Sequence, residues 1–222
     1  MIRARRGGYC FEQNMLFRAG LRTIGFAITS LQARVVGGLA IDAQRPALHM
    51  VLRVDLPEGP FLADVGFGNL APTAPLLLDP MREQDTPHER MRFIPMGDEL
   101  VLQSRLGERW EHIYRVVPYA RFDGDYDIAN WYTGTHTDSP YRANVIAARP
   151  GPDRTRLTLF NTRFTVRHAD GRAERRQLDT DEDFRTVLDD RFGVELPNAD
   201  LATALSNMRT RAAAGPPHPF FA

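Results

Sequence analysis

The stretch "HMVLRVDLPEGPFLADVGFG", residues 49–68, decides the fold. Met50, Leu52 and Val54 alternate with His49, Val51 and Arg53, the two-residue period of a strand. "DLPEGP" is turn material and "FLADV" is a returning strand. A hairpin here puts an antiparallel β body at the centre of the molecule. It also places an acid, Asp64, inside an apolar run, which is costly without a partner. Two registers are open. If residues 55–58 form the loop, Val54 faces Gly59 and His49 faces Asp64, with Cβ atoms about 5 Å apart. If residues 57–60 form it, Arg53 faces Asp64 and His49 lies on the order of 13 Å away along the strand.

Upstream stands "RRGGYCFEQN", residues 5–14, which holds the only cysteine of the 222-residue chain. The following "FEQNMLFRAGLRTIGF" reads as a helix, with Phe11, Met15 and Leu16 at helical spacing and Gly25 as its stop. Cys10 therefore sits at or just before a helix N-terminus, where the positive end of the helix dipole favours a thiolate. Gly7 and Gly8 allow close backbone approach beside the sulfur. An imidazole would complete the activation of the thiol. His88, His168 and His218 occupy charged, turn or tail segments. His112 and His136 remain candidates, and His49 opens the strand whose hairpin partner carries Asp64. In the first register the three form a Cys-His-Asp arrangement in chain order Cys10, His49, Asp64. The imidazole takes the thiol proton, and the carboxylate fixes the tautomer and stabilises the imidazolium.

Composition narrows the classes. There are 28 basic and 28 acidic residues, a formal net charge of zero, so no global field points to nucleic acid. Every basic residue is Arg, which excludes lysine chemistry such as Schiff bases or a P-loop. One cysteine forms no internal disulfide, no apolar run of about 18 residues marks a membrane span, and "MIRARRGGYC" lacks the apolar core of a signal peptide. A cytoplasmic location is the expectation, with no metal site.

Farther out, "FAITSLQARVVGG" is strand-like and closes on Gly37 and Gly38. Residues 91–117 alternate short apolar runs with turns at Gly97 and Gly107, and Asp170-Gly171 marks another hairpin. "TDEDFRTVLDDRFG" is a helix capped by Thr180, with Phe184, Val187, Leu188 and Phe192 on one face and Gly193 as its stop. A short helix is expected over 200–209, and a loose tail over 212–222. The fold class is α+β.

These residues resemble the arylamine N-acetyltransferases. The family's nucleophile motif is Arg-Gly-Gly-x-Cys-x-Glu-x-Asn, and Arg6, Gly7, Gly8, Cys10, Glu12 and Asn14 match its fixed positions. His49 matches the family's strand-opening His, and "DVGFG" from Asp64 matches the motif that bears its Asp. "NWYTGTHTDSPYRANV", from Asn130, is similar to a later segment near the family's coenzyme A cleft, and "FRTVLDDRFGVEL" to its C-terminal helix ending. The resemblance implies a cysteine-protease-like core: a nucleophile helix packed on an antiparallel β-barrel, followed by a C-terminal α/β lid. It implies three parts, 1–25 with the nucleophile helix, 26–120 with His49 and Asp64, and 121–222 as the lid. It favours the register that puts His49 in contact with Asp64. It further implies acetyl transfer from acetyl-CoA through a Cys10 thioester to an arylamine or arylhydrazine. Acetyl-CoA then serves as a substrate, with no bound cofactor and with neither nucleic acid nor membrane as partner. Phe67 matches an aromatic position of the acceptor pocket, and Thr135 and Ser139 are candidates for coenzyme A binding. Family members carry about sixty residues of helical bundle ahead of the nucleophile motif, so the resemblance describes an N-terminally truncated member. Two other readings stand beside it. One is a papain- or transglutaminase-like Cys acyl transferase or hydrolase. The other is an inactive remnant acting only by interaction.

Overall fold

A computed structural model describes residues 1–3, 6–196 and 201–214. Two compact units divide the chain: Gly8–Thr135, and Met1–Gly7 together with His136–Ala222.

The first unit opens with helix α1, Cys10–Thr23. Its buried residues are Cys10, Phe11 and Asn14. The apolar spacing expected Phe11, Met15 and Leu16 on that face, but Leu16 is 42% exposed and the polar Asn14 takes the inward position instead. Strands β1 (Ala27–Val35), β2 (His49–Leu56) and β3 (Gly59–Ala63) follow. Two-residue strands β4 (Leu76–Leu77) and β5 (Gln84–Asp85) come next, then β6 (Arg90–Met96), β7 (Glu99–Leu106) and β8 (Arg109–Val117). They form one antiparallel sheet in the order β4-β3-β2-β1-β8-β7-β6-β5. Its two edges meet through a side chain. Gln84 Nε2 donates to the Leu77 carbonyl (2.8 Å) and its Oε1 accepts from the Leu77 amide (2.7 Å). The sheet is thus nearly closed, as a barrel is, and its exposed edges are short. Helix α2, Asp123–Thr135, completes the unit. Cys10 and Phe11 of α1 pack with Met50, Leu52 and Val54 of β2, Ala63 of β3, and Tyr126 and Ala129 of α2. The helix that starts with Cys10 therefore rests on β2, which begins with His49, and on β3, which ends beside Asp64.

The hairpin takes neither of the two expected registers. Leu56 pairs with Gly59 and Leu52 with Ala63, so the turn is the dipeptide Pro57-Glu58. Gly59 begins the return with φ 129°, a conformation that excludes most side chains. Continuing the pairing places Val51, not His49 or Arg53, opposite Asp64. His49 and Asp64 become diagonal neighbours on one face, a separation long side chains span. Arg53 pairs instead with Asp55, at 2.7 Å.

The second unit contains short helix α3 (Pro140–Ala143) and an antiparallel sheet of β9 (Ile146–Pro150), β10 (Arg156–Phe160), β11 (Arg163–Arg167) and β12 (Ala173–Gln177) in sequential order. Helix α4, Asp181–Val187, starts at Thr180, whose hydroxyl accepts the Asp183 amide at 3.0 Å. Its continuation, Leu188–Phe192, winds as a π turn and ends at Gly193. Phe184, Val187 and Leu188 pack on Leu157, Leu159 and Phe164 of the sheet. Helix α5 spans Ala202–Ala214. It runs past the expected end of that helix and takes in 212–214, the start of the expected loose tail. Asp200 and residues 215–222, with His218, lie outside the described residues. Among the described residues no helix is long and apolar enough to cross a membrane.

Candidate active site

Cys10 is the first residue of α1 and 5% exposed, with its Sγ 3.8 Å from the Leu48 carbonyl. Glu12, two residues into the helix, accepts the Tyr9 amide at 3.3 Å and so covers a donor the helix start leaves open. The Tyr9 hydroxyl bonds to the Asn130 side chain of α2. The turn that carries Cys10 is held on both sides.

His49 and Asp64 are each 3% exposed. His49 Nε2 lies 2.7 Å from Asp64 Oδ2, so Nδ1 is the ring nitrogen left for the Cys10 thiol. Burial disfavours the charged ring, but the Asp64 carboxylate outweighs it through charge and hydrogen bond. Hydrogen bonding and charge at Cys10 add to this, and the imidazole is raised from 6.5 to about 10. Asp64 is buried too, yet the His49 charge, the bonds from His49 and Asn14, and the Gly66 amide hold it below its ordinary 3.8.

Every lone-pair direction of that carboxylate is in use. Oδ2 accepts from His49 and from the Tyr114 hydroxyl (3.0 Å). Oδ1 accepts from Asn14 Nδ2 and from the Gly66 amide, both at 2.9 Å. Burial, then the adjacent Asp64 charge, keep the Tyr114 phenol well above its usual 10, so it stays a donor. The satisfaction of all four positions is what makes a buried carboxylate tolerable.

Of the residues singled out from the sequence, the structure brings Cys10, His49, Asp64 and Phe67 together. Phe67 stands edge-on to His49, with ring centroids 5.0 Å apart, and to Tyr114 at 4.9 Å. Thr135 ends α2, its hydroxyl 2.5 Å from the Trp131 carbonyl. Ser139 is buried at the N-terminus of α3, in the other unit. His112 bonds to Gln103 (3.0 Å), His136 Nδ1 accepts the Asp138 amide (3.2 Å), and neither joins the cluster. Sequence reasoning passed over the part of Asn14 and missed Tyr114. A buried tyrosine needs a partner for its hydroxyl, but nothing within "HIYRVV" says that the partner is Asp64.

A thiol, an imidazole and a carboxylate aligned in this order can form and discharge an acyl-thioester. Comparison with known proteins agrees in kind. The N-acetyltransferase family model matches residues 1–201. The arylamine N-acetyltransferase of Escherichia coli K12 is 35% identical over 219 residues, spanning 99% of this chain and 78% of that protein. The solved Mycobacterium marinum arylamine N-acetyltransferase superposes with a TM-score of 0.86 at 32% identity, covering 93% of this chain and 77% of its own. A second structure of that enzyme, in complex with CoA, gives 0.82 at 32% identity, over 94% and 76%. This chain belongs to the arylamine N-acetyltransferase family.

Proposed function

We propose that this chain moves an acetyl group from acetyl-CoA to an arylamine or arylhydrazine in two steps, through a thioester on Cys10. The observation that carries the proposal is the buried His49–Asp64 contact of 2.7 Å beside the thiol, which leaves the second ring nitrogen to Cys10. In the first step the Cys10 thiolate attacks the acetyl carbonyl, and the carbon–sulfur bond to coenzyme A breaks. His49, held as imidazolium by Asp64, gives its proton to the departing thiolate. In the second step the amine attacks the Cys10 thioester, neutral His49 takes the amine proton, and the cysteine leaves as thiolate. Asp64 stays ionised throughout and keeps Nε2 as the proton-bearing nitrogen between them.

Phe67 is assigned to the wall of the acceptor pocket, supported by its edge contact with His49. Thr135 and Ser139 are assigned to the coenzyme A side. This is supported by the likeness of the segment from Asn130 to the family's later segment near its coenzyme A cleft. The CoA complex of the Mycobacterium marinum relative supports acetyl-CoA as the donor. A single free cysteine, with no disulfide to form within the chain, supports a cytoplasmic setting.

The test is a rapid-mixing assay with acetyl-CoA and no amine. A burst of one free coenzyme A thiol per chain is expected, followed by turnover only when an arylamine is added. The Cys10→Ser variant should show no burst. Thiol release that requires the amine from the start would mean direct transfer and would exclude the thioester.

A further inference from the structure

We infer that Asn14 is a positioning residue for this chemistry: one buried amide ties the helix of Cys10, the backbone after His49 and the carboxylate of Asp64 into a fixed arrangement. The inference rests on the two-step reading above and adds a residue to it. Cys10 and Asn14 are four apart on α1 and so lie on one helix face. Asn14 is wholly buried, and a buried amide is costly unless its bonds are made. They are made from the helix of Cys10 to the segments of His49 and Asp64. Nδ2 donates to the Met50 carbonyl (2.8 Å), next to His49, and to Asp64 Oδ1 (2.9 Å). Oδ1 accepts the Val65 amide (3.1 Å), next to Asp64. If the site needed only helix packing, an apolar side chain at this position would serve as well. What an apolar residue lacks is the capacity to fix Asp64 Oδ1 while Oδ2 serves His49.

The neighbourhood is built for this side chain. Gly66 has no Cβ, and one placed there would fall 2.8 Å from Asn14 Nδ2 and 2.6 Å from the Cys10 Cα. The titratable groups around Asn14 are Cys10 on its own helix, His49 on β2, Asp64 after β3 and Tyr114 on β8. A second carboxyl at position 14 would meet Asp64 Oδ1 and the Met50 carbonyl, and only its protonated form could donate to either.

The experiment measures alkylation of Cys10 by iodoacetamide across pH, together with kcat and KM for acetyl-CoA, in wild type, Asn14→Ala and Asn14→Asp. Asn14→Ala should alkylate and turn over up to about a hundredfold more slowly, the scale of a roughly 1 Å misplacement, with KM little changed. Asn14→Asp keeps the shape, so it remains informative if the alanine variant does not fold. Its rate should fall as pH rises and the new carboxyl ionises, a limb absent from the wild type. A residue serving only as structural cement would lower the melting temperature and leave the alkylation rate and pH profile of the folded protein unchanged. That result overturns the inference. Alkylation needs no acetyl-CoA, so the two readings separate: a wild type that alkylates but takes no acetyl overturns the two-step reading, and one that takes acetyl with unaffected variants overturns only the role of Asn14.

Discussion

Asp64 organises its surroundings because each of its oxygens has two donors, and only one of the four is His49. Replacing it by Asn preserves volume but turns an NH₂ or a weak acceptor toward His49 and releases the imidazole from its charge partner. Asp64→Asn should therefore lose acetyl transfer by as much as about 10⁴-fold, as in other triads. Steady-state rates on a protein shown to be folded check this. The same pair shapes stability. The raised His49 contributes stabilisation fully below its ordinary 6.5, and that contribution fades as pH climbs through about 10. The lowered Asp64 contributes above 3.8 and is lost as acid protonates it. The stability advantage of wild type over Asp64→Asn, from denaturant melts, should be greatest between about pH 4 and 6.5 and shrink toward pH 10. An advantage that grows on the alkaline side would contradict the charged pair. At this scale the meeting of Cys10, His49 and Asp64 was legible because conspicuous residues mark it: a single Cys, and an Asp among apolar neighbours. Asn14 and Tyr114 escaped because the roles of a buried amide and a buried phenol are set by partners fifty residues away.

The hairpin shows how an element can be foreseen while its register is not. Alternation identified β2 and β3, but "DLPEGP" permits several loops, and alternation within a strand does not choose among pairings two residues apart. The two-residue turn at Pro57-Glu58 moved the pairing midway between the expectations, and the His49–Asp64 contact survived as a diagonal on the same face. Helix α1 went the other way: its span was foreseen, whereas its inward face was misjudged because Asn14 is polar. Gly66 joins the two elements. Gly66→Ala would drive a methyl to 2.6 Å from the Cys10 backbone, so α1 must shift. We expect a stability loss of about 1–3 kcal/mol, the usual range for overpacking, with slower Cys10 alkylation. Urea melts and alkylation rates measure both, and an alanine variant matching wild type in each would show that α1 does not rest on this glycine.

At the scale of the molecule, the α+β class was readable from the succession of one helix, period-two runs and later helices. The barrel was foreseen only through the family resemblance, and composition and periodicity alone do not show it, because closure depends on Gln84 bonding across two strands of two residues each. Gln84→Ala should cost about 1–2 kcal/mol for two lost hydrogen bonds, seen as a lower urea midpoint, with kcat unchanged because Gln84 bonds to Leu77 and not to Cys10, His49 or Asp64. In the proposed two-step function the architecture serves a single event, the transient ownership of an acetyl group by Cys10. The direct measurement is the intact and peptide mass of the protein after brief exposure to acetyl-CoA, before and after an arylamine is added. One acetyl group on the Cys10 peptide, discharged by the amine with formation of the acetylated arylamine, is the predicted result. An unmodified Cys10 in a protein that nonetheless acetylates the amine, or an acetyl group that the amine does not remove, would contradict the account.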